Sequence, residues 1–180
     1  MIRLFAALAI PEDIGAGLAS RQKGLLGARW RPAQSLHVTL RFFGGVSEDR
    51  ADDLDSELAA IGGAGFALSL KGVGFFGAGE EIRAVWAAVA QSEPLNRLAA
   101  RCESAARRAG LPRETRAWRP HVTLAHLRHP DPAAVAAWMQ THNLLKSPPF
   151  PVRRFGLYSS WPGEASSVYR LERAYPLAAA

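Results

Sequence analysis

Hydrophobic and polar positions repeat every second residue in some stretches and every three to four in others, and the two rhythms interleave along the chain. Residues 2–9 (IRLFAALA) form an apolar run closed by Pro11-Glu12-Asp13, which predicts a first strand. Pro11 can stand as the first residue of a helix, and 12–26 carries a helical pattern despite Gly15 and Gly17. A short extended piece at 28–30 and a loop at 31–35 lead into a strand at 36–43. Ser47, with Glu48 and Asp49 behind it, is a helix start, and Ala51, Leu54, Leu58 and Ile61 then fall on one stripe before Gly62-Gly63. Phe66, Leu68 and Leu70 alternate as a strand, a glycine-rich stretch follows, and 83–90 returns as another strand. Glu93-Pro94 opens the strongest helix, with Leu95, Leu98, Ala99, Cys102 and Ala106 inward and Gly110 as its stop. Beyond an Arg- and Pro-rich linker at 111–120, a strand covers 121–128. Asp131-Pro132 caps a helix with Val135, Trp138 and Met139 inward, and 151–160 and 167–173 are the closing strands. Hairpins outnumber crossover units, which predicts an α+β fold with largely antiparallel sheets.

Two of these strands begin with the same four residues, His37-Val38-Thr39-Leu40 and His121-Val122-Thr123-Leu124. With so few His and Thr in the chain, about 0.1 His-x-Thr triplets are expected by chance, so the repetition is informative. On a strand, His37 and Thr39 leave from one face about 6–7 Å apart while Val38 and Leu40 enter the core, and the same holds for His121 and Thr123. Trp30-Arg31-Pro32 precedes the first motif and Trp118-Arg119-Pro120 the second, a coarse internal echo. The economical arrangement is one domain over 1–180 made of two similar lobes, each lending one strand to a shared cleft.

Composition narrows the classes. The chain is an ordinary globule by hydropathy, and no apolar run approaches the roughly 20 residues of a membrane span. One cysteine, Cys102, excludes an internal disulfide and fits a reducing cytoplasm. The net charge of +6 favours an anionic partner, and Arg outnumbers Lys strongly. Arg presents a planar donor fork suited to phosphate, although a GC-rich genome would produce the same bias.

Two imidazoles facing each other suit acid–base catalysis at a phosphodiester, one taking a proton from the incoming oxygen and one giving a proton to the departing oxygen. Thr39 and Thr123 could donate to the non-bridging oxygens. Neither motif holds a carboxylate, so the scheme requires no metal and no cofactor. The plain alternative is two strand histidines satisfied by neighbours. A metal site is a rival use of His121, His126, His129 and Asp131, whose spacing matches no helical or cysteine-paired pattern. Gly72-x-Gly74-x-x-Gly77 copies the letters of a dinucleotide fingerprint but leads into a strand, so a hairpin loop is expected there. Trp30, Phe43 and Tyr158 are candidates for stacking on a base; Phe43 and Arg41 share strand parity with His37.

These residues resemble those of the two-histidine phosphoesterases, in particular the bacterial and archaeal RNA 2′,3′-cyclic phosphodiesterases, also called 2′-5′ RNA ligases. The resemblance runs along nearly the whole chain: RLFAALAIP, the segment from Trp30 to Gly44, RPHVTLA, LYSS at 157–160, Tyr169 and Tyr175-Pro176-Leu177. It implies a bilobal fold of two antiparallel sheets flanked by helices around a central cleft. It also implies metal- and ATP-independent hydrolysis of a terminal 2′,3′-cyclic phosphate to a 2′-phosphate, with weak reversible 2′-5′ joining. His37 and His121 would be the acid–base pair, with His121 activating water and His37 protonating the departing 3′ oxygen; Thr39 and Thr123 would clamp phosphate. Members of the family usually carry Arg five residues after the second motif histidine, where this chain has His126; either Arg128 or Arg41 replaces it, or phosphate binding is weaker and the substrate differs. The implied partner is RNA with a cyclic-phosphate end, acted on by a cytoplasmic monomer with no membrane attachment. The alternatives are a phosphodiesterase for another small cyclic nucleotide and a non-catalytic RNA-binding protein.

Overall fold

A computed structural model describes residues 1–164 and 167–179. One antiparallel sheet dominates it. β1 (Ile2–Ala9) lies between β3 (His37–Val46) and β9 (Arg154–Trp161), with β10 (Val168–Pro176) outside β9. On the other side of β3 come β7 (His121–His126), β6 (Ala84–Val89) and β5 (Leu70–Phe76), and the short β2 (Arg29–Trp30) also pairs with β7. The two halves of this sheet meet at a single pair, Val38 opposite Val122. A separate two-stranded sheet joins β4 (Phe66–Leu68) to β8 (Phe150–Val152).

Helices cover one face of each half. α2 (Glu48–Ala59) packs on α3 (Glu93–Arg108), and α3 packs on β3, so the first half is backed by the stripes Leu54, Leu58 and Leu95, Leu98, Cys102. Ser92 caps α3 by accepting from the Leu95 amide at 3.3 Å. The Tyr175 hydroxyl donates to Asp55 at 2.6 Å, which pins β10 to α2. Cys102 is a core residue of α3, and burial pushes its thiol up to about 12. α4 (Pro132–His142) packs on β5 in the second half, capped by the Asp131 carboxylate at 2.9 Å from the Ala133 amide. None of the helices among the described residues is long and apolar enough to cross a membrane.

Antiparallel sheets with flanking helices agree with the expected α+β class, and four local expectations need correction. α1 (Glu12–Ala19) stops seven residues short of position 26, with Pro11 at its N-cap and not inside it. The Ser20 hydroxyl and the Arg21 guanidinium both turn back to the Gly17 carbonyl, at 2.8 and 2.6 Å, and Gly24 and Gly27 then take left-handed φ of 85° and 73°. The run through Phe66 and Leu70 is two strands, because the backbone changes partners at Ser69: Leu70 N–H donates to the Ser147 hydroxyl. Residues 151–160 divide in the same way between β8 and β9. Gly72 and Gly74 lie inside β5 and not in a hairpin loop. Gly72 has φ of 85° at a register shift against β6, and a Cβ on Gly74 would overlap the six-membered ring of Trp86.

Candidate active site

The seam between the halves puts the two repeated motifs side by side. In an antiparallel pair, the neighbours of an opposed pair are themselves opposed, so the Val38–Val122 register sets His37 across from Thr123 and Thr39 across from His121. Val38 and Val122 are fully buried towards the helices. The alternation of side chains then assigns all four polar residues to the opposite, open face. The two histidines are diagonal neighbours, about 7–8 Å apart by strand geometry.

The repeat extends into the backbone. Against β1, Thr39 pairs with Ala7 but Arg41 with Ala6, leaving Leu40 as an extra residue. Against β6, Thr123 pairs with Trp86 but Ala125 with Val85, leaving Leu124 as an extra residue. A bulge of this kind shifts the alternation by one. Past it, the face of His37 and Thr39 continues with Phe42, which pairs with Phe5, and the face of His121 and Thr123 continues with His126, which pairs with Arg29.

That shift corrects two expectations. Arg41 and Phe43 do not share the histidine face; both turn towards the helices and are buried. The Arg41 guanidinium is held by Glu103, by the Phe42 carbonyl, by the Pro112 carbonyl at 2.7 Å and by Glu114 at 3.6 Å. Its donors are committed far from the cleft. Trp30 also faces inward, paired with Ala125, partly buried against the core and packed 6.2 Å from Trp138, so it does not stand on the histidine face.

Each imidazole is oriented identically. His37 Nδ1 lies 2.8 Å from the Ser35 carbonyl and His121 Nδ1 lies 2.7 Å from the Arg119 carbonyl, in both cases two residues upstream. A carbonyl only accepts, so each Nδ1 carries the hydrogen and each Nε2 keeps a lone pair. Aromatic rings flank them. Phe5 at 5.1 Å and the edge-on Tyr169 at 5.0 Å bracket His37; Phe76 at 4.8 Å and Trp86 at 5.8 Å bracket His121. Burial disfavours the charged ring and lowers His37 to about 4, helped by the positive charges of Arg31 and His121, against the Ser35 hydrogen bond that favours protonation. His121 is lowered in the same direction by burial and by Arg119, opposed by its own carbonyl bond.

A cavity of about 270 Å³ opens beside His37, lined by Phe5, Gln34, Ser35, Tyr158 and Tyr169 among others. Phe5 stacks on Tyr158 at 5.4 Å, so Tyr158 stands where a ligand ring could meet it. Arg128 lies exposed beyond the end of β7. His126 sits at the rim on the histidine face, where desolvation and then the charges of Arg31 and Arg29 hold it below its ordinary value. The rival metal cluster is not brought together: Asp131 caps α4, and the described residues hold no group of three or more suitable ligands. Sequence reasoning missed Phe5, Phe76, Trp86 and Arg31 as site residues. Only Arg31 carried a signal, as the middle of the Trp-Arg-Pro echo.

The family profile described as the 2′-5′ RNA ligase superfamily matches residues 11–162. An RNA 2′,3′-cyclic phosphodiesterase of Thermus thermophilus is 31% identical over 183 residues, taking in 95% of this chain and 82% of that one. Among solved structures, TT0787 of T. thermophilus superposes with a TM-score of 0.80 at 25% identity, covering 97% of both chains. E. coli LigT complexed with 3′-AMP superposes with a TM-score of 0.78 at 28% identity, covering 98% of both. A profile match over most of the length, on a fold shared from end to end, places this chain in the 2′-5′ RNA ligase superfamily.

Proposed function

We propose that the protein hydrolyses a 2′,3′-cyclic phosphate at the end of RNA to a 2′-phosphate, with His37 and His121 as the acid–base pair. The observation that carries this reading is the matched pair of imidazoles, each fixed through Nδ1 and offering Nε2 to one open face across the Val38–Val122 seam. The relatives named RNA 2′,3′-cyclic phosphodiesterase support the substrate class.

The cavity beside His37 favours a direction. A nucleoside seated between Tyr158 and the neighbouring aromatic rings brings its ribose oxygens to the His37 side of the phosphate and leaves the His121 side to water. Water then attacks phosphorus as His121 Nε2 takes its proton. The bond from phosphorus to the 3′ oxygen breaks, and protonated His37 gives its proton to that oxygen. Thr39 and Thr123 donate to the non-bridging oxygens as their charge grows. Both histidines return to their starting states by exchange with solvent. All these groups come from one chain, which supports action as a monomer, and the buried lone Cys102 supports a cytoplasmic setting.

A pocket of about 270 Å³ holds one nucleoside, which also favours small nucleoside 2′,3′-cyclic phosphates as substrates. The deciding experiment is an assay in EDTA on a short oligonucleotide ending in a 2′,3′-cyclic phosphate, run beside the free cyclic mononucleotide. The expected product is the 2′-phosphate. No turnover of either substrate, with salt-sensitive RNA binding retained, would instead identify a binding protein.

A further inference from the structure

Three polar or charged side chains are buried among the described residues, and they differ in how they are satisfied. Ser159 donates to Glu172 at 2.6 Å. Arg41 has two carboxylates around it. Arg31, 5% exposed, has none: no carboxylate among the described residues lies within ion-pair distance of it. Its guanidinium makes one long hydrogen bond, 3.5 Å to the Ser167 carbonyl, and lies 4.8 Å over the Tyr169 ring. A guanidinium has five N–H donors, and burying it without a counter-charge is unfavourable. Such a residue is built for an anion that arrives from outside.

Its position says which anion. The Arg31 amide donates to the Leu124 carbonyl at 2.8 Å, directly after Thr123, and its carbonyl accepts from Gln22 at 2.7 Å. The backbone is therefore fixed to the second motif. The side chain crosses to Tyr169, whose ring meets His37 edge-on at 5.0 Å, on the first half. Its charge is felt by both His37 and His126. The guanidinium thus reaches from the strand of the second motif to Ser167 and Tyr169, two residues that line the cavity beside His37.

We infer that Arg31 is the phosphate-binding cation of this site, pairing through its planar fork with the non-bridging oxygens of the substrate phosphate. It would fill the role that Arg41, committed to Glu103 and Glu114, leaves open. The inference rests on the phosphodiesterase reading for its substrate but not for its anion, and the two are separable by experiment.

The test compares wild type, Arg31→Met, Arg31→Lys and the double variant Arg31→Met/His126→Arg in the full chain. Binding is measured with inorganic phosphate and a nucleoside 2′-monophosphate, and turnover with a nucleoside 2′,3′-cyclic phosphate. Loss of the fork in R31M should weaken binding of both probes at least about tenfold and lower kcat/KM by about 10²-fold. R31K should recover part of the affinity, since a point charge remains without the bidentate geometry. Placing Arg at 126 should recover about tenfold or more, because it returns a guanidinium to the same face. The thermal midpoint of R31M should hold or rise, as an unpaired buried charge has been removed. Unchanged phosphate affinity in R31M would overturn the assignment. So would a lowered midpoint with no recovery by His126→Arg, which would mark Arg31 as a strap between the halves. Should R31M fail to fold, R31K carries the test, and wild-type phosphate affinity there would count against the fork. If wild type turns over no cyclic phosphate yet R31M loses phosphate binding, the phosphodiesterase reading falls and the anion site stands.

Discussion

On the proposed mechanism, truncating either motif histidine removes the proton carrier on its side of the phosphate. The rings packed on His121, Phe76 and Trp86, cannot take over. Of those packed on His37, only Tyr169 bears a phenolic proton, and a phenol ordinarily holds its proton far more tightly than an imidazolium does. His37→Ala and His121→Ala should each lower turnover of a cyclic phosphate by at least about 10²-fold. Thr39→Val should cost about 10–100-fold as one transition-state donor is lost. Near-normal rates in either histidine variant would end the acid–base assignment. Protonation follows from burial. The proposed mechanism needs one neutral and one protonated imidazole, and both are held below 6.5, His37 at about 4. The bell of kcat/KM against pH should therefore be centred below 6.5 and fall about tenfold per unit on its alkaline side, whereas kcat should peak at higher pH because bound phosphate favours imidazolium. An optimum of kcat/KM above pH 7 would contradict this. Stability moves by the same linkage. Between about 4 and 6.5 the unfolded chain binds a proton at His37 that the folded protein refuses, so stability should fall as pH drops through that window. The loss attributable to this residue is on the order of 2–3 kcal/mol. Urea midpoints at pH 7 and pH 4.5 should show it, and His37→Gln should flatten the difference.

At the scale of strands, the site depends on glycine and on bulges. Trp86 pairs with Thr123 and packs near His121, and its ring occupies the space where a Gly74 side chain would stand. Gly74→Val should cost about 1–3 kcal/mol by overpacking and should disturb turnover through Trp86. Gly17→Ala is the contrasting variant: it meets nothing within 4 Å in α1 and should stabilise by about 0.5–1 kcal/mol. A chemical-denaturation series separates the two. The same strands show where sequence reasoning reaches its end. The His-x-Thr repeat, the helix starts at Ser47 and Asp131 and the stripes of α2 and α3 were legible because each is a local rule of spacing. Arg41 and Phe43 were misplaced because strict alternation was carried through Leu40, where a bulge resets it. That bulge depends on the register with β1, about 30 residues earlier in the chain, and no local pattern announces it. Trp30 was misplaced for a related reason, since its side is set by pairing with β7 rather than by proximity to the motif.

For the molecule as a whole, charge and topology act together. Arg29, Arg31, Arg83 and Arg119 approach the cleft from the second half, the last two lying over Phe76 and Trp86 at 5.8 and 6.0 Å. An oligonucleotide meeting these cations releases more counterions than a mononucleotide does, so kcat/KM for an RNA end should fall steeply with added salt and that for the free cyclic mononucleotide much less. Equal salt slopes would confine recognition to the terminal nucleoside. The two motifs also share their register, their bulges and their upstream carbonyl bonds. The frame they make around one phosphate is therefore palindromic: turned half a revolution about the Val38–Val122 pair, it presents nearly the same groups. The repeated groups by themselves favour neither sense, and only the cavity beside His37 breaks the symmetry. On the proposed mechanism, water on the His121 side would give cleavage of the ring, and a ribose hydroxyl in the same place would give chain joining.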